Sequence, residues 1–328
     1  MKMQGAVVQG GFAAAGLLLA YATWQREPDQ KGSDVTVLAV SKSEIEKVRY
    51  EDGPKWIELS PKGSGEEREV WLRISAKPES KTPERELRGN ENAGKLFDRF
   101  APLRATRALG TQPPAKLKEL GLEKPTKHLN ITAKGTTTKF VIGSSLYAVS
   151  DPYVQSEVDS QVYVLGRSIL SDLDAAASRL VDRSLHKFKA SEYDAVSVSA
   201  DGKRRDLMVE GDTPANTKLV SAKTHQADVL AKNWHDKVWS LYVMEPLGKG
   251  ELPVDGEPQI KLRVDYQLHK KAVGFVEVAK STPAQATSSA TPAAATYYAR
   301  TEHTAGWIKI APSADDLIKE CDKVTASE

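Results

Sequence analysis

Two hydrophobic rhythms divide the chain. Residues 5–24 carry no charge, pass through Ala13-Ala14-Ala15-Gly16-Leu17-Leu18-Leu19 to Tyr21 and Trp24, and give way to the polar run Gln25-Arg26-Glu27-Pro28-Asp29-Gln30-Lys31. A helix of that length rises about 1.5 Å per residue and spans about 30 Å, the hydrocarbon core of a bilayer, with the two aromatics placed for the interface. Beyond residue 34 the pattern changes to short alternating runs broken by Asp-Gly and Gly-Leu punctuation, the signature of strands and hairpins. No later stretch approaches 18 apolar residues, so one crossing is the maximum.

The alternating part repeats itself. Ser43-Glu44-Ile45-Glu46-Lys47-Val48-Arg49-Tyr50, Asp52-Gly53 and Trp56-Ile57-Glu58-Leu59 correspond to Ser191-Glu192-Tyr193-Asp194-Ala195-Val196-Ser197-Val198, Asp201-Gly202 and Asp206-Leu207-Met208-Val209. Each reads as a hairpin with an Asp-Gly turn. An amphipathic helix follows in each half: Leu96, Phe100 and Leu103 share one face, as do Trp234, Val238 and Leu241, with Gly110 and Gly248 as stops. The third pair is Tyr153-Val154-Gln155-Ser156-Glu157, Val162-Tyr163-Val164-Leu165 and a helix from Ser168, against Tyr298-Ala299-Arg300-Thr301-Glu302, Trp307-Ile308-Lys309-Ile310 and a helix from Ser313. Three motifs in one order at a near-constant offset indicate two copies of one unit.

Between these landmarks Pro113 starts a short helix that Gly121 ends, and strands follow over residues 128–133 and 139–142, matched by 259–265 and 272–278. Consecutive strands without βαβ crossovers predict an α+β fold with mainly antiparallel sheets. The expected organisation is a single transmembrane helix and short linker (1–33), a first α+β module (34–183) and a second, tandem repeated module (184–328), joined near residues 182–187. Residues 76–92, charged and carrying two prolines, read as a solvated connection. Residues 281–296, rich in Ser, Thr, Ala and Pro, read as a mobile loop inserted in the second module.

Composition narrows the class. An apolar fraction of 40% and a length of 328 residues exclude a disordered chain and a polytopic membrane protein and suit two domains. A net charge of +2 removes the electrostatic argument for a nucleic-acid partner. The single cysteine, Cys321, allows no internal disulfide and no thiolate zinc cluster. For the N-terminal segment, Ala20-Tyr21-Ala22 offers a signal-peptidase site, but the length of the apolar span favours a retained signal anchor. Such an anchor leaves the N-terminus in the cytoplasm and exports about 300 residues. Ala6, Gly10 and Ala14 recur every four residues, a stripe that lets a second membrane helix approach closely; abundant Ala and Gly also produce that spacing by composition alone.

The pattern resembles a known family. Leu120-Gly121-Leu122-Glu123-Lys124-Pro125, Phe140-Val141-Ile142-Gly143, Tyr153-Val154 and Leu180-Val181-Asp182-Arg183-Ser184-Leu185 are similar to short motifs of the domain of unknown function 4340 (DUF4340), with an expected coverage from Val35 to Lys323. That resemblance implies an N-terminal membrane helix followed by two α+β units, in an envelope protein often associated with an ABC-type exporter and gliding-motility-like auxiliary subunits. It brings no catalytic residues.

Candidate chemistry is sparse. No phosphate-binding loop, HExxH or GxSxG motif is present, and His128, His186, His225, His235, His269 and His303 are scattered. Trp234, His235, Asp236 and Trp239 form the most varied cluster. Trp234 reads as core, Trp239 as a flank that packs or touches a partner, and adjacent His235 and Asp236 diverge on a helix and so make no dyad. His225 and His235 neighbour ordinary solvated residues, and Lys203-Arg204-Arg205 and His269-Lys270-Lys271 read as solvated hairpin tips. Cys321 has no adjacent base to activate it. The expectation is a non-enzymatic accessory or scaffold subunit, single-pass in the cytoplasmic membrane with its bulk extracytoplasmic. It needs no catalytic residue, metal or cofactor, and its partners are integral membrane subunits of a transporter or other envelope complex. An extracytoplasmic binding protein holding a solute between the modules is the alternative, and a hydrolase comes third.

Overall fold

The computed structural model describes residues 34–65, 68–75, 84–145, 151–211, 216–254, 256–282 and 295–326. The N-terminal segment with Ala6, Gly10 and Ala14, and all but the ends of the 281–296 loop, lie outside the described residues. Among the described residues no helix is long and apolar enough to cross a membrane. What they form is a mixed α+β structure whose strand pairs are antiparallel.

In chain order the first part contains β1 (Val35–Leu38), β2 (Ile45–Asp52), β3 (Lys55–Lys62), β4 (Glu69–Ser75), β5 (Glu84–Arg88), α1 (Glu91–Asp98), β6 (Leu103–Ala105), β7 (Arg107–Thr111) and α2 (Pro114–Glu119). It continues with β8 (Lys127–Ala133), β9 (Thr136–Ser145), β10 (Pro152–Ser156), β11 (Gln161–Val164), α3 (Arg167–Asp174) and α4 (Ala176–Arg179). The second part has β12 (Ala195–Ala200), β13 (Lys203–Glu210), β14 (Lys218–Ser221), α5 (Val229–Trp239) and β15 (Val243–Pro246). It ends with β16 (Gln259–Leu268), β17 (Lys271–Ser281), β18 (Thr296–Thr301), β19 (Ile308–Ile310) and α6 (Ala314–Ala326).

One sheet runs β5-β4-β3-β2-β8-β9-β10-β11-β7 and the other β14-β13-β12-β16-β17-β18-β19-β15; β1 and β6 form a separate pair. From β4 to β7 the first order matches the second strand for strand. Val48 on β2 sits between Leu59 and Ile131, and Val196 on β12 between Leu207 and Tyr266, so the first hairpin keeps its register at an offset of 148 residues while the third strand is offset by 135. Both turns are two-residue loops, but the Asp-Gly pair sits one position later in the second. Asp52 pairs with Lys55, whereas Asp201 and Gly202 are themselves the two-residue loop between Ala200 and Lys203, both with positive φ.

Each sheet has its own core. The alternation that buries Ile45, Val48 and Tyr50 on β2, and Leu129 and Ile131 on β8, supplies one apolar face, covered by Leu96 and Phe97 of α1 and Ile169, Leu170 and Leu173 of α3. Val196, Val198, Leu262, Val264 and Tyr266 supply the other, covered by Trp234 and Val238 of α5 and Leu317, Cys321 and Val324 of α6. Trp234 is core, its indole N–H donating to the Leu317 carbonyl at 2.9 Å.

Several extents differ from the sequence reading. The first amphipathic helix stops at Asp98; Phe100 is buried in the turn beyond it and Leu103 opens a strand. Part of the supposed solvated connection, residues 84–88, is strand β5, because it gains a hydrogen-bonded partner in β4. Asn90 at its end caps α1, accepting from the Ala93 amide at 3.1 Å. Ser281 and Thr296, at the loop's two ends, are paired strand residues.

Candidate functional site: an aromatic and histidine cluster in the second module

Helix α5 begins at Asp228, whose carboxylate accepts from the Ala231 amide at 2.8 Å and is held by Arg205 at 2.6 Å. Arg205 also donates to the Val324 carbonyl at 2.8 Å, so it belongs to the packed interior rather than to a solvated hairpin tip; Lys203 and Arg204 remain exposed. The capped helix places His235 and Trp239, one turn apart, on the side facing Tyr266 of β16. The connecting segment brings His186, Phe188 and Tyr193 to the same spot.

These six rings form one contact group. Trp239 stacks on His186 with centroids 4.6 Å apart and planes 13° from parallel, and Tyr266 meets Tyr193 edge-on at 5.0 Å. Tyr266 also stands 5.2 Å from the His186 ring and 5.7 Å from the His235 ring. His186 Nδ1 is hydrogen-bonded to Glu302 at 3.1 Å, and the same carboxylate accepts from the Phe275 amide at 3.0 Å. Burial raises the Glu302 carboxyl, but those hydrogen bonds outweigh it and hold it below the usual carboxylate value. His186 Nε2, His235 Nε2 and Tyr266 Oη are all buried without a hydrogen-bond partner. Three orphaned polar atoms in one cluster mark a place where the fold keeps polarity at a cost.

The electrostatics keep the imidazole of His235 neutral. Burial lowers its pKa to about 4, against the opposing attraction of Asp236. Asp236 Oδ1 lies 3.9 Å from Nδ1, too far for a hydrogen bond, so the two do not make a dyad. The environment of His235 is nevertheless not the solvated one its sequence neighbours suggested: its side chain is 3% exposed. His225 instead sits exposed in a turn with positive φ. Burial likewise pushes the Tyr266 hydroxyl well above its ordinary value and the Cys321 thiol up to about 12, which leaves that thiol unreactive.

Beside the cluster opens a pocket of about 340 Å³, within the range of small-molecule sites. Tyr193, His235 and Trp239 form its aromatic wall, and Asp194, Lys232 and Asp236 its polar wall. Lys232 binds both oxygens of Asp236, at 2.6 and 2.8 Å, so their charges cancel. Trp239 is half-buried, with one face against His186, and lines the pocket. Among the described residues, no group of three or more His, Cys, Asp or Glu could hold a metal ion.

The seam between the two sheets is closed by contrast. Arg85 of β5 reaches Glu245 at 2.9 Å and Glu251 at 3.0 Å, and Arg88 donates to the His303 carbonyl at 2.9 Å. His303 Nε2 meets Asp182 at 2.9 Å; burial raises that carboxyl, yet His303 and Ser184 bring it below its ordinary value. The Lys249 amide donates to Glu86, and Gly248 lies so close to Arg85 and Glu86 that a Cβ would stand 3.0 Å from the Glu86 nitrogen. The remaining cavity is about 20 Å³, room for about one water.

A family profile described as a domain of unknown function, DUF4340, matches residues 85–245, just under half of the chain. Over that stretch the chain resembles the DUF4340 family. No curated protein and no solved structure matches the chain. The DUF4340 stretch is shorter than the expected 35–323, but it contains all four motifs read from the sequence. It runs from β5 to β15 and so straddles the seam instead of coinciding with one sheet.

The geometry explains two of the DUF4340 motifs. Gly121 ends α2 at φ 72°, and Gly143 lies against the same turn, where a Cβ would come within 2.2 Å of the Leu120 carbonyl oxygen. The Ser144 amide closes the contact onto that oxygen at 2.8 Å. A third motif, residues 180–185, is the strap between modules. Leu180 and Val181 enter the first core and Leu185 the second, while the Asn90 amide bonds Leu180 and Thr301 Oγ1 donates to the Leu185 carbonyl. His186, Phe188 and Tyr193 follow directly. His186 and Phe188 lie at or just beyond the expected join and Tyr193 in the expected hairpin; the His-x-Phe spacing and the inward alternation Leu262, Val264, Tyr266 are the signals that point to the cluster.

Proposed function

We infer that this protein is a non-enzymatic accessory subunit of an envelope complex of the ABC-transporter kind, tethered in the cytoplasmic membrane by its N-terminal segment and presenting a rigid two-module body outside. The observation that carries the reading is the locked seam. Arg85, 13% exposed, is ion-paired to Glu251, 8% exposed, and the 180–185 strap feeds both cores, so the modules hold one relative position. A fixed spacing between two sheets is what a scaffold needs and what a solute-closing hinge lacks. The same order of eight strands in each sheet supports two copies of one ancestral unit. Strand β15, beside the seam, ends its sheet among the described residues, with exposed Tyr242 and Met244 at and near its start, a surface suited to a partner protein.

The tethering segment supplies the second contact through Ala6, Gly10 and Ala14. Replacing Gly10 by Leu blocks that stripe and is expected to reduce co-purification of integral membrane subunits in mild detergent while leaving the body folded. Unchanged recovery of those subunits would count against helix docking.

A further inference from the structure

Resting on the scaffold reading only for the source of the ligand, we propose that residues 241–243 form a strand-acceptor edge. It takes a short extended stretch of a partner protein with apolar residues at alternate positions. The correspondence between the two sheets is the basis. The pairs Arg107↔Val164 and Ala108↔Tyr163 recur as Glu245↔Lys309 and Pro246↔Ile308, at an offset of 138 residues on one strand and 145 on the other. Residues 103–105 of the first module therefore correspond to 241–243 of the second. In the first module they are β6 and carry an added antiparallel strand, β1, with Val35 opposite Ala105 and Thr36 opposite Arg104. In the second, among the described residues, β15 pairs with β19 alone and residues 241–243 carry no added strand.

Side-chain exposure records the difference. Leu103 is 1% exposed beside β1, whose Val37 and Leu38 pack against the first core, whereas Leu241 is only partly buried against the second. Tyr242, the counterpart of Arg104, is 70% exposed, an aromatic at a position that meets a cross-strand neighbour once a strand is added. Its backbone forms no hydrogen bond among the described residues. An open groove of about 500 Å³ runs beside it, with Leu241, Ala311 and Leu317 in its apolar lining. The charged lining residues balance, Lys237 and Lys319 against Asp316 and Glu320, so the groove selects no charged ligand. Unpaired backbone beside an apolar groove recognises an extended peptide by main-chain hydrogen bonds and seats its alternate side chains. Residues 283–294 of this chain are only Pro, Ala, Gln, Thr and Ser, and lack the large apolar side chains such a groove accepts.

The probe is a synthetic peptide of residues 34–40, the β1 sequence, carrying a fluorophore and a photoreactive group and added to the purified full-length chain in mild detergent. Fluorescence anisotropy is expected to give a Kd below about 1 mM, with crosslinks on residues 240–244 and 311–320. Tyr242→Lys, a change at an exposed side chain, weakens binding about tenfold. N-methylation of the peptide at one alternate set of residues abolishes binding and at the other set spares it, because only one side of an added strand bonds the edge. No binding at millimolar peptide, crosslinks confined to the first module, or equal binding of both N-methylated peptides would each overturn the proposal. Self-association of the chain that Tyr242→Lys removes would assign the edge to a second copy and overturn it likewise. The peptide meets purified protein, so these outcomes are independent of the membrane recovery that tests the tether.

Discussion

Lowering the pH from 7 to 4 at constant salt should expose the cost of burying His235. The unfolded chain protonates this imidazole near pH 6.5, while burial holds the folded value at about 4. Between those values the unfolded state binds the extra proton, so stability rises with pH across that window and falls on acidification. A gap of about 2.5 units, at 1.36 kcal/mol per unit, corresponds to about 3 kcal/mol lost by pH 4. Carboxylates also contribute in acid, so the informative quantity is a difference between proteins. Urea-unfolding free energies are measured from pH 7 to 4 for the native chain and for His235→Gln, which cannot titrate. The native curve should fall more steeply by about 3 kcal/mol over the window. Parallel curves, or an imidazole NMR titration of His235 centred near 6.5, would refute the reasoning.

Three other outcomes follow from the packing. Gly143→Ala forces a methyl against the Leu120 carbonyl and should cost about 1–3 kcal/mol in urea unfolding; a neutral result would show that α2 is not locked to β9. Arg85→Ala leaves Glu251 buried beside the seam and should cost about 3 kcal/mol and split a single calorimetric transition into two; one unshifted transition would contradict a rigid seam. Asp182, held below its ordinary value of 3.8 by His303, contributes stability that is complete above that value and lost as pH falls through the lowered one. Asp182→Asn should therefore flatten the acid limb below pH of about 4, and an unchanged limb would remove the pair's role.

Local pattern carried much of the architecture. Alternation at Val48 and Tyr50, and at Val196 and Val198, announced the two central hairpins, and Pro113 and Gly121 bracketed α2 closely. What local pattern could not supply were partners distant in sequence. Glu84-Arg85-Glu86 reads as solvent-facing charge, yet β4 pairs it on one side and Glu245 and Glu251 receive Arg85 on the other. Phe100 and Leu103 keep helical spacing, but the tight turn beyond Asp98 redirects them into the core from non-helical backbone. The candidate site was half legible. Trp239, His235 and Asp236 stood out as a chemical cluster, and Trp239 was read as a packing or contact flank. Its neighbours come from around the expected join (His186, Phe188), from the expected hairpin (Tyr193) and from a strand residue 27 positions beyond Trp239 (Tyr266), and only the fold assembles them.

The central claim, a tethered two-module body serving membrane partners, is tested most directly by fractionating native cells and sequencing the protein's N-terminus. The account predicts a chain retaining residues 1–24, found with the membranes and resistant to alkaline carbonate extraction. A mature chain beginning at Thr23 and released with the soluble envelope contents would contradict it.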